Sequence, residues 1–191
     1  MEFNFKYSLT EDDYAEYAAC TNWHAPWQKK ERIKHAIKTF IYSLIFFIAT
    51  IILLDRINSS GVDNYIVLIP ISIVILILLT ILEFYQAPFR LKSKARKLVR
   101  KEENVQVLNE TDLFFDDSGI INNDKDVKVN LKWESIKKYA QTKDYFYVYL
   151  SSLQAFVIPK KLFTSNNSIE KFDKFLTEKI PLSASFRSIG I

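Results

Sequence analysis

The chain has one cysteine, two histidines and three glycines in 191 residues. A single Cys20 offers no disulfide framework and no thiol pair for zinc or redox chemistry, and a lone thiol is more often a small packed side chain than a nucleophile. His24 and His35 lie eleven residues apart, outside the spacings that hold zinc. Three glycines leave little material for a loop that cradles phosphate, and no Walker A loop, dinucleotide fingerprint, nucleophile elbow or HExxH sequence occurs. The carboxylate-rich "DDSGIINNDKD" of residues 116–126 lacks the ligand order and glycine position of an EF-hand loop, and reads as a polar hairpin turn. The expectation is a protein that is not an enzyme and carries neither metal nor cofactor.

Apolar material is plentiful but unevenly placed. The composition is 49% hydrophobic, and two apolar runs between Ala36 and Leu82 flank the polar "DRINSSGVDN". The second run, Tyr65 to Leu82, has 18 residues and no charge, so as a helix it covers about 27 Å, close to a bilayer core. The first is uncharged from Thr39 to Leu54 and reaches a similar length when Ala36, Ile37 and a snorkelling Lys38 are included. Two buried helices of a soluble domain would need more apolar wrapping than so short a chain provides. A cleavable signal would sit near residue 1 behind a short basic region, whereas this run begins after more than thirty mostly polar residues. The pattern predicts an uncleaved hairpin, with membrane helices at 36–54 and 65–85 and an external loop at 55–64. Pro70 favours a kink of the kind membrane helices tolerate. The absence of ionisable residues deep in either span argues against a transporter or pump.

The flanks set orientation. Lys29, Lys30, Arg32, Lys34 and Lys38 precede the first span; Arg90, Lys92, Lys94, Arg96, Lys97, Arg100 and Lys101 follow the second. The loop between holds only Arg56 against Asp55 and Asp63. By the positive-inside rule both termini are cytoplasmic, and the lipid bilayer is the first expected partner. The net charge of +4 belongs to this boundary, because residues 102–191 carry twelve Lys and Arg against thirteen Asp and Glu, so nucleic acid is not an expected ligand. Within "RLKSKARKLVRK", Leu91, Ala95, Leu98 and Val99 recur at helical spacing among the cations, which predicts a basic juxtamembrane helix at 88–101. Its seven basic residues either contact anionic lipid headgroups or serve topology alone.

The remaining segments, 1–35 and 102–181, read as water-exposed structure. "FNFKYSL" alternates Phe3, Phe5 and Tyr7 with polar neighbours, as a half-buried strand does. "TEDDYAEYAACTNW" is a helix with Thr10 as its cap, Asp13 completing a capping box and acids in the first turn, and Pro26 interrupts it. "NVQVLN", "DLFFDD", "GIINN", "DVKVNLKW", "YFYVYLS" and "QAFVIP" read as strands separated by turn residues. "SIEKFDKFLTEK" is a helix with Ser168 as its cap and Ile169, Phe172, Phe175 and Leu176 on one face. The fold class is therefore a membrane α-helical hairpin plus an α+β domain, a bent antiparallel sheet closed by a C-terminal helix. Both ends of the hairpin return to one compartment, so residues 3–9 are expected to join the later sheet. The expected core comprises Phe3, Phe5, Tyr7, Trp133, Phe146, Val148, Phe156, Ile158, Phe172 and Phe175, and residues 182–191 form a flexible tail.

"WESI" (133–136), "DYFYVYL" (144–150), "AFVIPKKLF" (155–163) and "FDKFL" (172–176) together resemble the C-terminal domain of the YcxB-like family. "FKYSLTEDDYAEY" followed by two membrane spans is similar to the same family. The resemblance implies a bacterial inner-membrane protein whose cytosolic domain is pleckstrin-homology-like, and it carries no catalytic residue onto this chain. Two functions fit: a tethered recognition module that binds a protein or a lipid headgroup at the cytoplasmic face, or an immunity protein that neutralises an antibacterial toxin at the same membrane.

Overall fold

A computed structural model describes residues 1–57, 65–124 and 128–180. Most of the expected external loop and all of the expected tail lie outside them. The described chain divides into two compact units, one built from Met1–Pro26 with Arg90–Ile191 and the other from Trp27–Phe89.

The second unit consists of helix α2 (Lys29–Ile57) and most of helix α3 (Tyr65–Val99), joined to the first by a short 3-10 turn at Pro26–Gln28. The first apolar helix thus begins seven residues before Ala36, because the turn at Pro26 starts it and nothing in "KKERIKH" opposes a helix. The stretch expected as a separate basic helix at 88–101 is the last part of α3, which runs unbroken through Pro70 and Pro88; each proline removes one donor from the ladder without ending it. Both helices carry a sheltered stripe of mostly small or polar residues. On α2 it includes Ala36, Thr39, Ser43, Phe47 and Thr50; on α3 it includes Ser72, Leu76, Thr80 and Ala87. The large apolar side chains, Phe40, Ile45, Phe46, Ile48, Val74, Leu78 and Leu82 among them, point outward and are exposed.

The first unit is α+β. Strands β1 (Phe3–Tyr7), β2 (Thr111–Phe115), β3 (Gly119–Asp124) and β4 (Lys128–Lys132) form an antiparallel sheet in that order. Strands β5 (Lys138–Gln141), β6 (Tyr145–Tyr149) and β7 (Ala155–Pro159) form a second one. The single bent sheet expected from the sequence is two ladders, interrupted where Trp133–Ser135 closes into a 3-10 turn. β1 pairs with β2 in full register, Phe3 opposite Phe115 and Tyr7 opposite Thr111. Two strands separated by the whole apolar hairpin are neighbours in one sheet.

That pairing explains a correction. "NVQVLN" alternates like a strand, yet Glu102–Leu108 is a 3-10 segment with Val105 and Val107 exposed. The edge of β2 that it would need is taken by β1, and alternation without a partner edge makes no strand. A second correction concerns the C-terminal helix α4 (Asn166–Lys179), capped by Ser165 rather than Ser168. Ser168 is its third residue, and its hydroxyl accepts from the Ser165 N–H at 3.2 Å in a serine version of the capping box.

Residues of both sheets and α4 share one buried cluster. Phe5, Trp133, Phe146, Val148, Ile158, Phe172 and Phe175 are in it, and Phe3, Tyr7 and Phe156 pack against it half-buried. Leu113, Phe115, Ile120, Ile136, Tyr139, Leu176 and Ile180 complete it. Phe172 lies 5.2 Å from both Phe5 and Phe146, edge to face, and 5.3 Å from Phe115. Edge-to-face rings at these separations contribute about 0.5–1.5 kcal/mol per pair beyond the area they bury. Gly119 is fixed by close approach: a Cβ there would sit 2.0 Å from the Leu131 carbonyl oxygen on β4.

Candidate functional site

β6 is buried on both faces, which is why "YFYVY" has no polar alternation. Phe146 and Val148 point into the aromatic cluster, while Tyr145, Tyr147 and Tyr149 point the other way, under helix α1 (Glu11–Ala19) and the π turn Cys20–His24 that continues it. Tyr17 packs 5.8 Å from Tyr147 with its ring tilted by 44° and donates to the Leu153 carbonyl. Thr21 shares a 2.9 Å hydrogen bond with the Tyr149 hydroxyl. The Tyr145 hydroxyl donates to Asp13 at 2.7 Å.

Asp13 is the only buried acid among the described residues. Its Oδ2 accepts the Thr10 N–H at 2.9 Å while its own N–H donates to Thr10 Oγ1 at 3.1 Å, the reciprocal box the sequence predicts. The Lys161 ammonium stands 3.3 Å away. Burial pushes the Asp13 pKa upward, but hydrogen bonds from Thr10, Tyr145 and Lys161 outweigh it and hold the carboxyl below its ordinary value. A carboxylate satisfied from three sides is a positioning device for the helix start, not a proton donor.

The other acids of α1 face outward and meet the C-terminal end of α3. Glu11 receives Arg100 Nη2 at 2.7 Å and Nε at 2.8 Å. Asp12 accepts from Arg96 Nε at 2.7 Å, and Glu16 pairs with Lys92. Asp12 and Glu16 are one helical turn apart, as are Arg96 and Lys92, so the two helices run antiparallel with matched charges. Arg100 holds the Glu11 carboxyl below its ordinary pKa by hydrogen bonding. Of the seven basic residues considered for lipid contact, Lys92, Arg96 and Arg100 are thus engaged by α1, and Lys101 stands 3.8 Å from Glu103. Lys94, Lys97 and Arg90 are exposed. Sequence reasoning missed this pairing. Its signal was present in the acidic "EDD" and Glu16 at helical spacing, but the complementary stripe lies more than seventy residues away.

The remaining chemical candidates are occupied structurally. Cys20 is buried beneath the tyrosines, and burial pushes its thiol up to about 12. His24 is half-buried and His35 exposed on α2. The described part of "DDSGIINNDKD" is the β2–β3 turn at 116–118 followed by β3: Asp116 Oδ1 accepts the Ser118 and Gly119 N–H groups at 2.7 and 2.9 Å. Asp117 pairs with Lys179 at 2.7 Å. Among the described residues no group of three or more His, Cys, Asp or Glu is placed to hold a metal ion.

Two helices, Pro26–Ile52 and Pro70–Val99, are long and apolar enough to cross a membrane, with mean hydropathy 1.8 and 2.0. No curated protein and no solved structure matches the chain. Residues 115–176, from the last residue of β2 to Leu176 in α4, match the family of YcxB-like proteins, the family that the C-terminal sequence resembles.

Proposed function

We propose that the chain is a non-enzymatic, membrane-anchored recognition module, in which two spanning helices hold a cytoplasmic domain that binds a protein or a lipid headgroup at the membrane face. The observation that carries this reading is the insertion of both long apolar helices between β1 and β2, adjacent strands of one domain. A folded domain assembled from both ends of a hairpin lies in a single compartment, so the intervening chain crosses an even number of times. Two spans satisfy that count, and the basic flanks favour the cytoplasmic side, here of a bacterial inner membrane. The outward-facing apolar side chains of α2 and α3, with small and hydroxyl residues turned inward, support lipid as their surroundings.

The domain itself is of the pleckstrin-homology-like kind on this reading. Support comes from the four-stranded and three-stranded antiparallel ladders and from Phe172, Phe175 and Leu176 of α4 in their shared core, with the helix closing the sheets. A recognition role is favoured by how the reactive side chains are used, with Asp13 and Cys20 committed to docking α1.

Affinity capture of the full chain from native membranes in mild detergent tests the proposal, compared with Phe5→Asp, which keeps the hairpin and disrupts the domain. A protein or lipid retained by the native chain and lost from the variant is expected. Identical retention by both chains would locate binding in the hairpin and end the recognition-module reading.

A further inference from the structure

The basic end of α3 has three faces. At about 100° per residue, Lys92, Arg96 and Arg100 form one stripe, and it is neutralised by Glu16, Asp12 and Glu11. Ala95 and Val99 form the second and are buried. Lys94 and Lys97 lie on the third, roughly 130° round the helix from the paired stripe, with Leu98 beside them 45% exposed. No ion pair engages Lys94 or Lys97 among the described residues.

We propose that this third face, Lys94 and Lys97 with exposed Leu98 beside them, is a docking surface for the anionic phospholipids of the membrane that α2 and α3 span, while the stripe of Lys92, Arg96 and Arg100 serves to hold α1. The inference rests on the membrane-anchored reading and names which part of the collar meets lipid. Charge complementarity picks the occupant: cations with no ion-pair partner among the described residues, and an exposed apolar side chain beside them, suit a headgroup layer, where phosphates meet acyl chains. Continuity supports it. Tyr85 and Phe89 are both 70% exposed on the same helix, and tyrosine is one of the aromatic residues that mark a membrane boundary. Lys94 and Lys97 follow Phe89 by five and eight residues in the chain. Lys101 stays exposed but has Glu103 at 3.8 Å as a counterion, so it is left out of this face.

The test uses the full chain in nanodiscs of phosphatidylcholine alone or mixed with phosphatidylglycerol, with amine acylation of each lysine followed by mass spectrometry. Lys94 and Lys97 are expected to react about threefold or more slowly in the anionic discs at low salt, and equally in both discs at 1 M salt. Lys171 and Lys174, exposed on α4, are the internal controls and should not change. In detergent, retention of phosphatidylglycerol should fall in K94Q/K97Q and persist in K171Q/K174Q. Equal reactivity of Lys94 and Lys97 in the two discs overturns the lipid surface and leaves the anchored reading standing. A chain that does not co-elute with the discs overturns both.

Discussion

Replacing Phe5 by Ala should unfold the C-terminal domain from a distance of more than a hundred residues. Phe5 is 7% exposed, and its ring lies 5.0 Å from Phe163, 5.2 Å from Phe172 and 5.9 Å from Phe115. Those partners come from β2, α4 and the turn before α4, so the vacated space is bounded by rings that cannot all collapse into it. Truncating a buried Phe costs about 3–5 kcal/mol, a large share of the 5–15 kcal/mol that stabilises an ordinary domain. The open population should rise by roughly two to three and a half decades. Amide hydrogen exchange in detergent micelles reads it: β6 amides at Tyr145–Tyr149, in the other sheet, should accelerate by about that factor if they exchange by global opening. Asn4→Ala is the matched control, since Asn4 is exposed on the opposite face of the same strand and should change stability by about 0.5 kcal/mol or less. If Phe5→Ala accelerates exchange in β1 and leaves β6 unchanged, the N-terminal strand is an independent arm and the two-piece domain is refuted.

Gly119→Ala places a Cβ 2.0 Å from the Leu131 carbonyl oxygen, so β3 and β4 must separate; a loss of about 1–3 kcal/mol is expected, and an unchanged thermal midpoint would contradict the close approach. Asp13 has a pKa lowered from 3.8, so it releases its proton more readily folded than unfolded; its contribution to stability is present above about pH 4 and is lost as pH falls below it. Asp13→Asn should flatten that part of the acid limb in a urea titration series, and an identical pH profile would show that the carboxylate is not held as described. Cys20 should resist maleimide at neutral pH in the native protein and react in denaturant, and native stoichiometric labelling would contradict its burial. Because Cys20 is sheltered, Ser60→Cys and Ser118→Cys read topology directly: an impermeant maleimide should label Ser60→Cys in intact cells and Ser118→Cys only after the cells are opened, and the reverse pattern would invert the orientation.

Local pattern alone determined the parts of this protein whose physics is local. Eighteen uncharged residues from Tyr65 to Leu82 make a helix of bilayer length wherever they are placed, and Thr10 with Asp13 caps a helix through bonds spanning three residues. The alternation of Phe3, Phe5 and Tyr7 announced a strand with one buried face, and the YcxB-like stretch was legible in the aromatic strands. What the tertiary structure decided were the pairings between segments distant in sequence. "NVQVLN" and "FNFKYSL" both alternate, and only the β1–β2 register shows which one occupies the edge of β2. Tyr147 and Tyr149 could face water or protein until α1 is seen to cover them. The basic collar looked uniform because charge composition carries no angular information about a distant partner; docking of α1 splits it into a stripe that is neutralised and a stripe that is not. Sequence periodicity tells a helix which face is apolar, whereas the identity of the counterion depends on chain closure, which brings Asp12 to Arg96 across more than eighty residues of chain.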